Sequence, residues 1–333
     1  MFDILKLLEY PSTSSVFFVA ELGINHDGNL SIAKQMIDQA IEAKADAVKF
    51  QLYETDLFYN KLIAPEAHQL FKNFHLPYDQ FIILKKYAES RGMLAFAAPF
   101  DTQTLQQLIK DSIFPIKIAS GDALTEPWID NLLDNKIPFI ISTGSLEEKE
   151  IQKLAHKLEN TLSAMLYCVS EYPAPPEGFD IRYIQTMQQY LPNQAIGFSD
   201  HSQGIALSLA AVAHGAKIIE RHFTLFPERN DLDHPLSLSP ENFHQMITSS
   251  RMIEKALGTG IRNTSPIEKN IRNLAGRDIF ARINIPANTH ISEEMIVFQR
   301  PGKGISSQEY NSLLGKLSLK EIPKGTSLRE ILL

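Results

Sequence analysis

Two lysines in this chain stand where an isolated charge is expensive. Lys49 lies in the apolar run DAVKFQ (46–51) and Lys117 in PIKIAS (115–120). Both runs are short and branched enough to be strands buried on both faces. An ammonium in such a place costs free energy unless an anion neutralises it. With Ser120, which closes the second run, and Ser142 in PFIIST (138–143), the two lysines predict a pocket for a phosphate or a carboxylate. Gln51 follows Lys49 by two residues and shares its strand face. His201, in Ser199-Asp200-His201, and His222, in AKIIERHF (216–223), end two neighbouring runs. Imidazoles so placed point to one shared divalent ion or, alternatively, to two ordinary core histidines. Glu220 precedes His222 by two and is read as an acceptor for that ring or as an ion-pair partner. Glu21 ends SVFFVAE (15–21) and leads into Gly23-Ile24-Asn25-His26-Asp27-Gly28, while Ser170-Glu171-Tyr172-Pro173 follows SAMLYCV (163–169). Cys168 in that last run reads as a small core residue. Asp233, in the charged loop PERNDLDHPLS (227–237), is either part of the same mouth as His222 or solvated surface.

The elements that must hold these groups follow from the hydrophobic period. Eight apolar runs, completed by MLAFAAP (93–99) and AIGFSD (195–200), alternate with amphipathic stretches such as LSIAKQMIDQAIEAKA and EEKEIQKLAHKLEN. Asp101 is placed as a helix cap, Ser239-Pro240-Glu241 puts proline at a first helical position, and Gly92 and Gly215 stand at helix ends. Eight strand-plus-helix units in succession predict an α/β fold, a (β/α)8 TIM barrel with its active site at the carboxyl ends of the strands. No GxGxxG follows the first strand, which argues against a Rossmann sheet. The connection from Tyr53 to Pro77, rich in Phe and Tyr and carrying His68 and His75, is long for a barrel and reads as a lid or substrate wall.

Residues 1–258 are assigned to the barrel, the polar stretch 259–275 to a linker, and 276–333 to a small second domain. That domain holds an internal repeat. Ile285-Pro286-Ala287-Asn288-Thr289 matches Ile322-Pro323-Lys324-Gly325-Thr326, each copy continuing into a turn-and-short-helix pattern. The composition excludes other classes. With 333 residues, 44 % hydrophobic and 21 % charged, the chain is neither disordered nor collagenous. A net charge of −7 argues against nucleic acid or an anionic membrane as partner. A single cysteine, and a start without the features of a signal peptide, lead us to expect a cytoplasmic protein.

These residues, in this order, resemble the sialic acid synthase family, the phosphoenolpyruvate-dependent synthases of nine-carbon keto sugar acids. The resemblance runs through AELGINHDGNL, DAVKFQ, KIASGD, ISTGS, CVSEYPAP, GFSDHSQGI, GAKIIERHFTL and LDHPLSLSP. It continues in GRDIFARINIPANTHI and FQRPGKGIS, which look like the family's antifreeze-like (SAF) domain. It implies that Glu21 and Glu220 are catalytic, and that Lys49, Gln51, Lys117, Ser120, Ser142, Tyr172, Ser199 and Asp233 bind substrate. It further implies that His201 and His222 hold a divalent ion, Mn²⁺ before Mg²⁺, and that Arg277 reaches the active site of the partner in a domain-swapped homodimer. The implied reaction joins phosphoenolpyruvate to an N-acetylated hexosamine and releases phosphate. N-acetylmannosamine is the acceptor expected, with the legionaminate and pseudaminate precursors as alternatives. Two competing readings are a phosphosugar-using synthase, which needs a second basic cluster that the sequence lacks, and a barrel that only binds a sugar acid. Gly276-Arg277-Asp278, Asn288 and ERNDLDHP depart from the family pattern, all on the acceptor side.

Overall fold

The computed structural model describes residues 4–302 and 304–328. Eight parallel strands close into a barrel in sequence order: β1 (Phe17–Gly23), β2 (Ala47–Leu52), β3 (Leu94–Pro99), β4 (Ile116–Ile118), β5 (Phe139–Ser142), β6 (Ser163–Cys168), β7 (Ala195–Asp200) and β8 (Ile218–His222). Each falls on one of the runs named above, and a helix follows each strand, as the TIM-barrel reading requires. Asp101 caps the helix Thr102–Lys110 by accepting from the Thr104 amide at 2.8 Å, and Ser239 caps Pro240–Leu257. Gly92 and Gly215 both have positive φ where their helices stop.

Strand parity sorts the barrel into two chemistries. Val16, Phe18, Ala20, Val48, Phe50, Ile116 and Ile118 face the helices and join the main apolar cluster. The alternate residues face the barrel axis. Toward the amino ends these are Phe17, Val19, Phe96, Ile140, Leu166 and Ile218, a second apolar cluster. A short helix, Ile4–Glu9, which the sequence pattern did not announce, adds Ile4, Leu7 and Leu8 to it. Each such buried side chain contributes about 2 kcal/mol. Toward the carboxyl ends the same inward rows turn polar. Glu21 lies in register with Lys49 on one side and with His222 on the other, and Ser199 lies opposite Glu220. The barrel floor is therefore dry and its mouth ionic.

The first compact unit ends at Gly258 and the second begins at Thr259. The stretch read as a linker contains a helix, Pro266–Ala275. Ser265 accepts from the Glu268 amide and Glu268 from the Ser265 amide, a reciprocal cap that starts the helix, and Ile267, Ile271 and Leu274 follow it at helical spacing. Beyond it, β9 (Asp278–Ala281) pairs with both β11 (Ile296–Gln299) and β12 (Ile305–Ser306), and β10 (Thr289–His290) pairs with β13 (Leu317–Ser318). The internal repeat is visible as a symmetric bridge in which the Ile285 and Ile322 amides each donate to the other's carbonyl, at 2.9 and 2.8 Å. Asn288 and Gly325, at φ +61° and +81°, make the equivalent left-handed turns. The end of the second copy lies outside the described residues.

Candidate active site

Glu21, Lys49, Gln51, Lys117, Ser120, Ser142, Tyr172, Ser199, His201, Glu220, His222 and Asp233 all line one cavity of about 440 Å³ at the carboxyl ends of the strands, and His68 and His75 of the long connection do not. At its base two ammoniums and two carboxylates interleave. Lys49 Nζ lies 2.6 Å from Glu21 Oε2 and 3.0 Å from Glu220 Oε2, and Lys117 Nζ lies 3.8 Å from Glu220 Oε1. Lys117 also donates to Ser142 Oγ at 2.7 Å and to the Ile118 carbonyl at 3.1 Å, and Ser199 Oγ donates to Glu220 Oε1 at 3.0 Å. All four charges are buried, so their mutual attraction is screened far less than at a surface. Burial lowers the Lys49 ammonium to about 8, partly offset by Glu220. Burial pushes the Glu220 carboxyl up, but Lys117 and Lys49 outweigh it and hold the group down at about 2. The set is electrically balanced within itself, so an incoming dianion adds negative charge and must be met by further donors.

Those donors stand on the next strands. Ser120, Ser142, Ser145 and Ser170 line the cavity between β4 and β6. Ser120 Oγ accepts from the Gly144 amide at 2.9 Å. A Cβ at Gly144 would stand 2.2 Å from Ser170 Oγ and 2.8 Å from Ser120 Oγ, so only glycine lets the hydroxyls converge. Cys168 lines this cavity too, which corrects its reading as plain core. It is two residues from Ser170, and strand parity puts both on the inner face.

His201 and His222 stand on the opposite rim with ring centroids 5.5 Å apart. His201 Nδ1 donates to the Val169 carbonyl at 2.8 Å, which leaves the lone pair on Nε2. His222 Nδ1 is buried without a hydrogen-bond partner, 3.3 Å from Asp233 Oδ2. Burial raises the Asp233 carboxyl, but His222 beside it holds it below its ordinary value. Tyr172 stacks on His201 at 4.2 Å, and burial raises its phenol. Two imidazoles with an orphaned nitrogen fit a divalent ion whose other positions are open to water or substrate. Among the described residues no group of three or more His, Cys, Asp or Glu forms a closed cage.

Several residues that hold this site carried no sequence signal of their role. Gly23, at φ +51°, lets Glu21, Gln51 and Asp233 converge, and its amide donates to Glu21 Oε1 at 2.6 Å. Behind the rim, fully buried Arg221 meets Asp200 Oδ2 at 2.7 Å and donates to the Ser202 and Leu236 carbonyls. Each of these two residues neighbours one of the imidazoles in sequence and points to the other side of the sheet, so the pair braces both rings. His234 turns away from the mouth and shares a hydrogen bond with Thr224 Oγ1 at 2.7 Å, and His68 pairs with Asp56. Arg277 is exposed in the second unit and lines a separate recess with Arg272 and Asp278.

Residues 36–262 match the family model described as the NeuB family, and residues 277–330 match the SAF domain. The chain belongs to the NeuB family. It is 32 % identical to the N,N'-diacetyllegionaminic acid synthase of Legionella pneumophila, over 95 % of this chain and 94 % of that one. It is likewise 32 % identical to the human N-acetylneuraminate-9-phosphate synthase, over 94 % and 91 %. Among solved structures, the N-acetylneuraminic acid synthetase of Leptospira borgpetersenii matches with a TM-score of 0.73 and 33 % identity, over 78 % of this chain and 92 % of that one. The chain is a sialic-acid-synthase-like enzyme that uses phosphoenolpyruvate to form a C–C bond and make a nonulosonic acid. Among the described residues no helix is long and apolar enough to cross a membrane.

Proposed function

We propose that this enzyme condenses phosphoenolpyruvate with an unphosphorylated N-acetylated hexosamine, and that the acceptor carries two acetamido groups, as a legionaminate precursor does, in place of the N-acetylmannosamine expected from sequence. Two observations support the acceptor. The N,N'-diacetyllegionaminic acid synthase of Legionella pneumophila, whose product carries two acetyl groups by name, matches 95 % of this chain. The only basic side chains among the described lining residues besides histidine are Lys49 and Lys117, both engaged with carboxylates at the base, so the cavity's own lining offers no further cation to a second phosphate.

The observation that carries the reaction is the buried Glu21–Lys49–Glu220–Lys117 chain beside paired imidazoles in one cavity. Lys49, Lys117 and the β4–β6 hydroxyls bind and orient phosphoenolpyruvate by its carboxylate and phosphate. His201 and His222 would hold the divalent ion, Mn²⁺ or Mg²⁺, with Asp233 beside them. That ion, when bound, supplies Lewis acidity toward the acceptor's aldehyde oxygen. C3 of phosphoenolpyruvate attacks the aldehyde carbon, the enol double bond moves its electrons into the new C–C bond, and water adds at C2. Phosphate then departs with its bridging oxygen, leaving the keto acid. Glu21, held by the Gly23 amide and Lys49, is placed to take a proton from that water, and Glu220 keeps the lysines charged. Arg277 is assigned to the acceptor in the active site of a partner subunit, within a domain-swapped homodimer, on the family resemblance. A cytoplasmic location and the domain limits 1–258, 259–275 and 276–333 belong to the same reading.

The test is phosphate release. It should require phosphoenolpyruvate, an N-acetylated hexosamine and a divalent metal together, and His222→Ala should abolish it. Near-full activity of that variant in chelator would show that the imidazole pair holds no ion. Mass spectrometry of the product from a panel of acceptors settles the sugar.

A further inference from the structure

Going round the barrel, the mouth divides into three sectors. Strands β4 to β6 supply Lys117 and the hydroxyl donors, and β7, β8 and β1 supply the imidazoles and carboxylates. Strand β2 adds Lys49 and Gln51 at the base, and above them the sector over β2 and β3 is built from rings. Phe58, Tyr59, Phe71 and Phe100 line the same cavity. They come from the end of β3 and from the long connection after β2, which folds into the short helices Thr55–Phe58 and Pro65–Asn73. The rings hold one another. Tyr59 stacks on Phe71 at 5.0 Å and 23°, and Phe58 meets Phe71 at 5.1 Å and Phe100 at 4.9 Å. Buried Tyr53 packs against Phe58 and Phe71, and its hydroxyl donates to the Phe71 carbonyl at 2.9 Å. The Phe100 amide donates to the Leu52 carbonyl at 2.9 Å. The wall is therefore set before any ligand arrives, and the Tyr59 hydroxyl is its sole side-chain polar group.

We infer that this aromatic wall determines acceptor specificity by packing against the apolar groups of the sugar, its acetamido methyls and a deoxygenated terminal carbon. This deepens the function proposed above and rests on it. With phosphoenolpyruvate held in the hydroxyl sector and the aldehyde in the imidazole sector, the ring sector is what the cavity leaves for the acceptor's non-reacting end. A methyl group there is released from water onto π faces. A hydroxyl or a phosphate there loses its hydration, and the four rings offer it no ammonium or guanidinium in return. One methyl-sized group in an apolar pocket discriminates by about tenfold or more, whereas an uncompensated phosphate is excluded more strongly.

The experiment uses the full-length enzyme and three acceptors: a di-N-acetylated deoxyhexose, N-acetylmannosamine and its phosphate ester. Wild type should prefer the first to the second by about tenfold in kcat/KM. Tyr59→Ala should bring that ratio close to one while phosphoenolpyruvate KM stays within about twofold, Phe58→Leu should shift it the same way by less, and Tyr59→Phe should keep it. A ratio unchanged in both Tyr59→Ala and Phe58→Leu, or a wild type that prefers the phosphate ester, overturns the wall. A wild type that releases phosphate with no acceptor overturns the parent reading instead. The wall is then decided by saturation-transfer NMR on the diacetamido sugar. Methyl saturation lost in Tyr59→Ala supports it, and equal saturation in both proteins refutes it.

Discussion

Replacing Glu220 by glutamine keeps the shape of the cavity base and removes one of its two negative charges. In the wild type, Lys49 and Lys117 face Glu21 and Glu220, and Glu220 sits 3.0 Å from one ammonium and 3.8 Å from the other. Glu220→Gln leaves two buried ammoniums with one carboxylate. Removing one partner of a buried ion pair costs about 3–5 kcal/mol, because the remaining charge stays desolvated. We take the low end, about 3 kcal/mol, since Gln still offers an oxygen to Ser199 and a barrel mouth admits some water. For a unit of this size that corresponds to a fall in Tm of roughly 6–12 °C. The acid limb has a definite sign. A carboxyl held at about 2 against an ordinary 4.5 stabilises the fold above pH 4.5, and that contribution disappears as pH falls toward 2. The wild type should therefore lose its advantage over the variant across that interval. The excess positive charge should also make the variant a better anion binder. Inorganic phosphate at about a hundred times its Kd adds about 2.7 kcal/mol to any protein it binds in the folded state. At one fixed phosphate concentration the variant should thus gain more Tm than the wild type. Scanning calorimetry with and without phosphate reads both effects. Equal Tm values without phosphate, or equal gains with it, would refute the charge balance described here.

Two further outcomes follow from the same geometry, and a third from the acceptor role proposed for Arg277. Gly23→Ala places a Cβ 3.1 Å from Asp233 Oδ2 at a residue with φ +51°, so we expect about 1 kcal/mol of strain and a kcat loss of about tenfold, read by denaturation and initial rates. Lys49, lowered to about 8, loses its charge above that pH in the free enzyme, so kcat/KM for phosphoenolpyruvate should fall toward tenfold per pH unit on the alkaline side. A flat profile to pH 10 would exclude Lys49 from anion binding. If Arg277 holds the acceptor as proposed, Arg277→Ala should raise acceptor KM by about tenfold or more and leave phosphoenolpyruvate KM within about twofold, since a guanidinium can make paired hydrogen bonds to a sugar's oxygens. Equal loss for both substrates would remove Arg277 from the acceptor site.

What the sequence made legible follows from periodicity. Residues two apart on a buried strand share a face, so Lys49 with Gln51 and Glu220 with His222 were readable as neighbours before any coordinates. The same rule, applied to Cys168 and Ser170, places the cysteine in the cavity, and its apolar character had concealed that. Asp200 and Arg221 were hidden because two charges on the helix-facing side of adjacent strands look like solvated ends, and only the register of β7 with β8 reveals their pairing. Gly23 and Gly144 have no side chain to advertise a role, and their value lies in what a Cβ would displace. Ile4–Glu9 is too short to show a helical period, so packing carried the information there, whereas Pro266–Ala275 does carry one in Ile267, Ile271 and Leu274, behind the Ser265–Glu268 cap, within a stretch whose charged and amide residues read as a linker. The metal reading rested on two imidazoles, whose mutual distance no linear pattern contains.

The connection between β2 and β3 has a consequence for how such an enzyme diversifies. It brings three rings to the mouth, beside Phe100 at the end of β3, yet contributes neither of the two lysines nor any imidazole or carboxylate lining the cavity. Substitutions there re-tailor which sugar is welcomed while the groups that make and break bonds stay where they are. Lineages, or a laboratory library confined to residues 53–77 and Phe100, can therefore explore new acceptors without passing through inactive ancestors.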